Sequence, residues 1–278
     1  MDAPAPSRPL DEGFDRAPPI LETEATVLRI HPFSHTSHMV VWLTEDGRRL
    51  VTSIKGAMRP KSAFLGQYDL FYACDLLYYA KQHDGVHIAR ECEALRRRDH
   101  LRDNWRAEHC ASWFAALADL AADSGMATPT LYRLFDETLD VLDECDGAPP
   151  PAVFARFEAQ LLVSAGLRPN FSPCPLCGAE DDGRTLRFNL ADGNVHCPVH
   201  ALPTPGMRSP PIVRITRETI DLFNLLADSP SIGPESTLVR TTPARTHSLL
   251  RFLGLFLQYH LPDAPLDGRA IAIRVLDE

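Results

Sequence analysis

The chain has 278 residues, with 28 Lys and Arg against 37 Asp and Glu, a formal net charge of −9. Apolar residues make up 45% and charged residues 23%, enough to bury a core over most of the length, which argues against wholesale disorder. No run of 18 apolar residues occurs, against a transmembrane helix, and seven cysteines suit a reducing compartment better than a disulfide framework.

Residues 1–22 hold five prolines, an acidic excess and no apolar stretch of signal-peptide type. They read as a disordered tail. From 25 to 110 the balance of basic over acidic side chains is +3, and from 111 to 172 it is −6. Local basic density governs phosphate binding more than total charge, because exposed charges are screened within roughly 8 Å at physiological salt.

A β pattern runs from Ala25 to about Leu95. The expected strands are Ala25–Ile30, His38–Thr44, Arg48–Ala57, Gln67–Ala80 and Val86–Leu95, with Glu45-Asp46-Gly47 as a turn. Five strands in about 70 residues favour a small closed barrel, since a flat sheet of that size would leave bare edges. The OB-fold is the commonest such barrel.

Beyond Leu101 the period is helical. Trp105, Cys110, Trp113, Phe114, Leu117 and Leu120 recur at three- and four-residue spacing. Further helices are expected over Thr128–Cys145, begun by a Thr-Pro cap, over Pro149–Gly166, Thr216–Asp228 and Pro243–His260. Their apolar stripes are core faces.

Between the third and fourth of these helices lies SPCPLCGAEDDGRTLRFNLADGNVHCPVH. Cys174 and Cys177 form a CxxC and Cys197 and His200 a CxxH, with 19 residues between them. Two such knuckles supply the four soft or borderline donors that tetrahedral Zn2+ takes. Four protein ligands leave no open position, so the site is structural rather than catalytic. His196 is an alternative fourth ligand, although the spacing of His200 matches the first knuckle better. Cys74, Cys92, Cys110 and Cys145 read as ordinary buried thiols.

The chain resembles the RecO family of bacterial recombination mediators and DNA-repair proteins. The likeness rests on SIKGAMRPKSAFLG (Ser53–Gly66), on CPLCG followed by CPVH, and on LLRFLGLFLQYHLPDAPLD (Leu249–Asp267). It spans about residues 25–270. Two features depart from the family: His200 stands where members often have Cys, and the pI of about 5.6 is low for a DNA-binding protein. The overall expectation is an α+β chain. Residues 23–98 form an N-terminal OB-fold barrel, and 99–278 form an all-helical domain with an inserted four-ligand zinc module at 172–202.

The resemblance implies a non-enzymatic, cytoplasmic and nucleoid-associated protein with one structural Zn2+. It would bind single- and double-stranded DNA, anneal strands and, with RecR, help RecA load onto DNA coated with single-stranded-DNA-binding protein. No membrane partner is implied. On the barrel, Arg29, Arg48, Arg49, Lys55, Arg59, Lys61 and Ser62 are the expected DNA contacts. Phe33, Trp42, Phe64 and Tyr68 are stacking candidates, with Trp42 better placed as core. Arg96, Arg97 and Arg98, with Arg90, Arg102 and Arg106, either continue the path or pair locally with Glu91, Glu93, Asp99, Asp103 and Glu108. Two other classes compete. In one, the barrel is a protein-docking module whose partner brings the DNA, as the −9 charge favours. In the other, the chain is a zinc hydrolase using Asp181, Asp182 or Asp192, which the closed ligand set argues against.

Overall fold

The computed structural model describes residues 18–81, 85–126, 128–180, 183–202, 211–229 and 243–277. Five strands close a barrel: β1 (Ile20–Ser34), β2 (Ser37–Thr44), β3 (Arg49–Ile54), β4 (Ala73–Tyr79) and β5 (His87–Arg96). Their order is β1-β2-β3-β5-β4, with β1 also paired to β4, so no strand edge is left bare. All pairs are antiparallel except β3 with β5, where Thr52 faces His87. This is the closed five-stranded OB-like barrel expected of the sequence.

Strand β1 begins at Ile20, within the stretch read as tail. The first 17 residues of that stretch lie outside the described residues. Gln67–Tyr72 was expected to extend a strand and does not. Phe71 sits at φ +67°, and Tyr72 N–H closes a turn onto the Asp69 carbonyl. Its aromatics are spent on two different cores, Tyr68 on the barrel and Phe71 on the helical body.

The run Val40-Val41-Trp42-Leu43 has no polar alternation because both its faces are buried. Val40 and Trp42 fill the barrel with Val27, Ile54 and Leu76. Val41 and Leu43 join Leu28 in the core of the helical body. Trp42 is fully buried and donates its indole N–H to Thr52 Oγ1 at 2.9 Å, so it is core, not a stacking platform.

The body comprises α1 (His100–Asp103), α2 (Trp105–Asp123), α3 (Pro129–Asp143), α4 (Pro151–Ser164), α5 (Arg217–Ala227), α6 (Pro243–His260) and α7 (Leu266–Asp277). Thr128 caps α3 by accepting from Leu131 N–H, with Pro129 behind it. Helix α2 packs against α3 and α7 and, on its other side, against β1–β3.

Between α4 and α5 stands a small sheet that the sequence reading did not include: β6 (Thr185–Asn189), β7 (Asn194–His196) and β8 (Ile212–Thr216), in the order β7-β6-β8. Its inner face delivers Phe188 to a cluster with Phe171, Phe252 and Phe256.

The barrel and the body meet through opposite charges. Asp119 of α2 accepts from Arg49 Nε at 2.6 Å and Arg29 Nη2 at 3.0 Å. Asp136 of α3 binds Arg96 at 2.6 Å and Arg98 at 2.7 Å. Arg98 also donates to Asp140 and to the Phe71 carbonyl, and its side chain is only 2% exposed. Gly47, at φ +83° in the β2–β3 turn, lies so close to α3 that an added Cβ would sit 2.1 Å from the Thr128 carbonyl. Arg98→Met should therefore cost about 3 kcal/mol, as loss of one partner from a buried pair does. Chemical denaturation would measure it, and a cost under about 0.5 kcal/mol would disprove the role.

Candidate metal centre and nucleic-acid interface

Cys174, Cys177, Cys197 and His200 converge, with all four ligand atoms within 4.8 Å of one another. Cys177 Sγ lies 3.8 Å from Cys197 Sγ. His200 Nδ1 lies 3.6 Å from Cys174 Sγ and 3.4 Å from Cys197 Sγ. A tetrahedron with Zn–S near 2.3 Å and Zn–N near 2.0–2.1 Å has edges of about 3.8 Å between sulfurs and about 3.5 Å from sulfur to nitrogen. The donor set therefore fits a tetrahedral metal ion of zinc's size.

Each knuckle is a tight turn. Gly178 N–H returns to the Cys174 carbonyl at 2.8 Å, and Ala201 N–H to the Cys197 carbonyl at 3.0 Å. The Cys174 thiol is lowered to about 6, first by a backbone hydrogen bond from Cys197, with Leu176, His200 and Cys177 also contributing. The Cys197 thiol is lowered too, first by the backbone of His200. Thiolates are the metal-binding form.

His196 is not part of this group. Its Nε2 contacts Asp192 Oδ2 at 2.7 Å, and the histidine that converges with the three cysteines is His200. The module is tied to the body where Asn170 N–H bonds the Gly193 carbonyl and Val195 N–H bonds the Asn170 carbonyl.

On the barrel, Lys55, Arg59 and Lys61 are all exposed. They ride a loop of successive three-residue turns: Arg59 N–H to Gly56, Ser62 N–H to Arg59, Leu65 N–H to Ser62. Met58 N–H reaches the Thr36 carbonyl at 3.2 Å, so the loop is pinned to the β1–β2 turn. Ser62 is half-buried, and its hydroxyl accepts from Phe64 N–H. Phe33, Met58 and Leu65 are 63%, 57% and 64% exposed. Phe64 and Tyr68 pack on the barrel core instead, and Tyr68 OH is 2.6 Å from His38 Nδ1. Met58 and Leu65 were missed because isolated apolar residues in a loop carry no period.

The other expected contacts divide by position. Arg97 is exposed, and Arg48 is exposed and paired with Asp46. Arg29, Arg49 and Arg96 are ion-paired at the barrel–body interface, and Arg98 is buried there beyond the reach of a phosphate. Local pairing was one of the two readings of the junction arginines. Arg90–Glu91 is such a pair, and Arg102 binds Asp69. Arg96 and Arg98 instead take partners about 40 residues away, which sequence spacing does not reveal.

Residues 102–270 match the family model described as recombination protein O, C terminal. The chain belongs to the RecO family. A DNA repair protein RecO of Rhodopirellula baltica is 29% identical over 257 residues, covering 91% of this chain and 92% of that protein. The RecO of Alkaliphilus metalliredigens is 22% identical over 257 residues, covering 92% of this chain and all of its own length. That of Desulforudis audaxviator is 32% identical over 176 residues, 63% of this chain and 68% of that protein. Membership of the RecO family assigns the chain to DNA repair and recombination. No described helix is long and apolar enough to cross a membrane.

Proposed function

We propose that the chain is a non-enzymatic mediator that binds single- and double-stranded DNA and anneals complementary strands. With RecR it would help RecA load onto DNA coated with single-stranded-DNA-binding protein. It would work in the cytoplasm at the nucleoid and carry one structural Zn2+ on Cys174, Cys177, Cys197 and His200. RecO family membership supports the biological role. The observation that carries the DNA reading is the turn-rich loop, where Lys55, Arg59 and Lys61 are exposed, pinned through Met58 and Thr36 to the β1–β2 turn that follows the exposed Phe33. Cations for phosphates beside an aromatic for bases are what single-strand binding requires.

The test is binding of the full chain to a fluorescent single-stranded oligonucleotide across a salt series. Reversing Lys55, Arg59 and Lys61 to Glu removes three cations. The salt slope should then fall by roughly 2, at about 0.7 per phosphate contact. The Phe33→Ala variant should lose roughly 1–3 kcal/mol of stacking. Unchanged affinity in the triple variant would remove DNA from this loop. It would favour the second reading, in which Met58 and Leu65 make the barrel end a protein-docking surface and a partner brings the DNA.

A further inference from the structure

Of the seven cysteines, all among the described residues, Cys177 alone is exposed. Cys74, Cys92, Cys110, Cys174 and Cys197 are buried, and Cys145 is half-buried. Burial pushes the Cys110 thiol up to about 12 and raises that of Cys145. The Cys74 thiol is raised as well, first by its hydrogen bond with Cys92 and then by burial. Thiols kept protonated in a core react slowly with oxidants, because the thiolate is the nucleophile. A sulfur that ligates a metal is a thiolate already. Exposure and thiolate character therefore coincide at Cys177.

The partner for an oxidised Cys177 is in place. Cys177 Sγ lies 3.8 Å from Cys197 Sγ, across the two knuckles. A disulfide has its sulfurs 2.03–2.05 Å apart, so the pair must close by about 1.8 Å. Leu176 and Val199, each one residue before the second ligand of its knuckle, are exposed, so the open side of the cluster is that of the knuckle tips.

We propose that Cys177 is a modification site for hydroperoxides, at which oxidation links it to Cys197 and releases the metal. The proposal rests on the zinc reading above. The Cys177 thiolate attacks one oxygen of hydrogen peroxide. An S–O bond forms, the O–O bond breaks and hydroxide leaves, giving a sulfenic acid on Cys177. The Cys197 thiolate then attacks that sulfur, the S–S bond forms, the S–O bond breaks and a second hydroxide leaves. Two thiolates and one hydrogen peroxide thus give one disulfide and two hydroxides. The two sulfurs lose the two electrons that the peroxide oxygens gain. Cys174 and His200 remain, half of a tetrahedral donor set, and cannot hold zinc by themselves. One covalent link then stands where four ligand bonds stood. Phe171 and Phe188 lose that rigid base, and the loosening passes to α5 and α6 through Phe223 and Phe252.

The test uses the full chain, with zinc counted by elemental analysis before hydrogen peroxide is added. A chromophoric chelator should then record release of about one zinc per chain. No Lys or Arg separates Cys174 from Cys177, whereas Arg184 and Arg187 precede Cys197. Tryptic mapping without reduction should therefore find two peptides joined, and fragmentation should place the bond between Cys177 and Cys197. Cys74, Cys92, Cys110 and Cys145 should stay reduced. Melting should fall by at least about 5 °C and return with dithiothreitol and zinc. Cys177→Ser should slow the peroxide-dependent release at least about tenfold. The map of the unaltered chain needs no variant to keep its metal. Zinc that stays bound in peroxide, a bond between Cys174 and Cys177, Cys177 driven to sulfinic acid without a link, or equally fast release from the Cys177 variant would overturn this proposal alone. A chain that purifies without zinc would overturn the zinc reading and this proposal with it.

Discussion

Arg269→Met should destabilise the chain by about 3–5 kcal/mol, the cost of leaving a buried charge without its partner. Arg269 of α7 donates to both carboxylate oxygens of Glu158 in α4, at 2.7 and 2.8 Å, and to the Leu250 carbonyl of α6 at 2.7 Å. Trp113 of α2 adds its indole N–H to the same carboxylate at 3.0 Å. Four helices thus meet on one ion pair, and the Glu158 side chain is 0% exposed. Gly254 makes room for it, since a Cβ there would lie 2.5 Å from Arg269 Nη1. Glu158→Leu combined with Arg269→Met should recover much of the loss, because an apolar pair of similar volume avoids the desolvation of both charges. Urea denaturation of the two single variants and the double variant forms the cycle. Additive losses would show that the pair does not couple these helices.

Chelation of the metal should be the most damaging change to the small sheet. Ligand binding by zinc-finger peptides is worth about 10–16 kcal/mol, and in such modules that energy is folding energy. Nothing in the β7-β6-β8 sheet is long enough to hold itself: its central strand has five residues and β7 has three. Loss of the knuckles should release Phe188 and Phe171 from Phe223 and Phe252 and so loosen α5 and α6. Cys177→Ser should bind zinc less tightly and melt earlier than the unaltered chain. The barrel, whose core is separate, should keep its own hydrogen-exchange protection. A chain that purifies without zinc and whose melting ignores chelators would refute this. With thiolates as the ligands, protons would compete with metal, so retention should weaken as pH falls.

The elements read most clearly were those with a long, one-sided pattern. Thr128 and Pro129 announced α3 before its stripe began, and CPLC with CPVH marked the four side chains that the fold brings together. The turn at Gly47 was legible for the same local reason. What the sequence hid was non-local. Strand β7 is Asn194-Val195-His196, one apolar residue among polar ones, and only β6 makes it a strand. Helix α7 lacks a strong apolar stripe, and its Arg269 points inward to a carboxylate 111 residues earlier. QYDLFY has the composition of a strand but divides its rings between two cores. Arg29, Arg49, Arg96 and Arg98 could be read as a DNA surface because their partners, Asp119, Asp136 and Asp140, lie on helices distant in sequence.

The charge seam between barrel and body bears on how the protein can be dissected. Arg29, Arg49, Arg96 and Arg98 are satisfied by Asp119, Asp136 and Asp140 of the body, and by Glu24 of the barrel itself. A fragment ending near residue 98 would sever the three aspartates from these guanidiniums. It would gain cationic surface that the whole chain neutralises, together with the bared apolar side chains of Leu28, Val41 and Leu43. Such a fragment would cling to any polyanion and overstate the grip of the intact molecule. The acidic helices act as a built-in counterion, leaving the 55–61 loop as the barrel's outward cationic end.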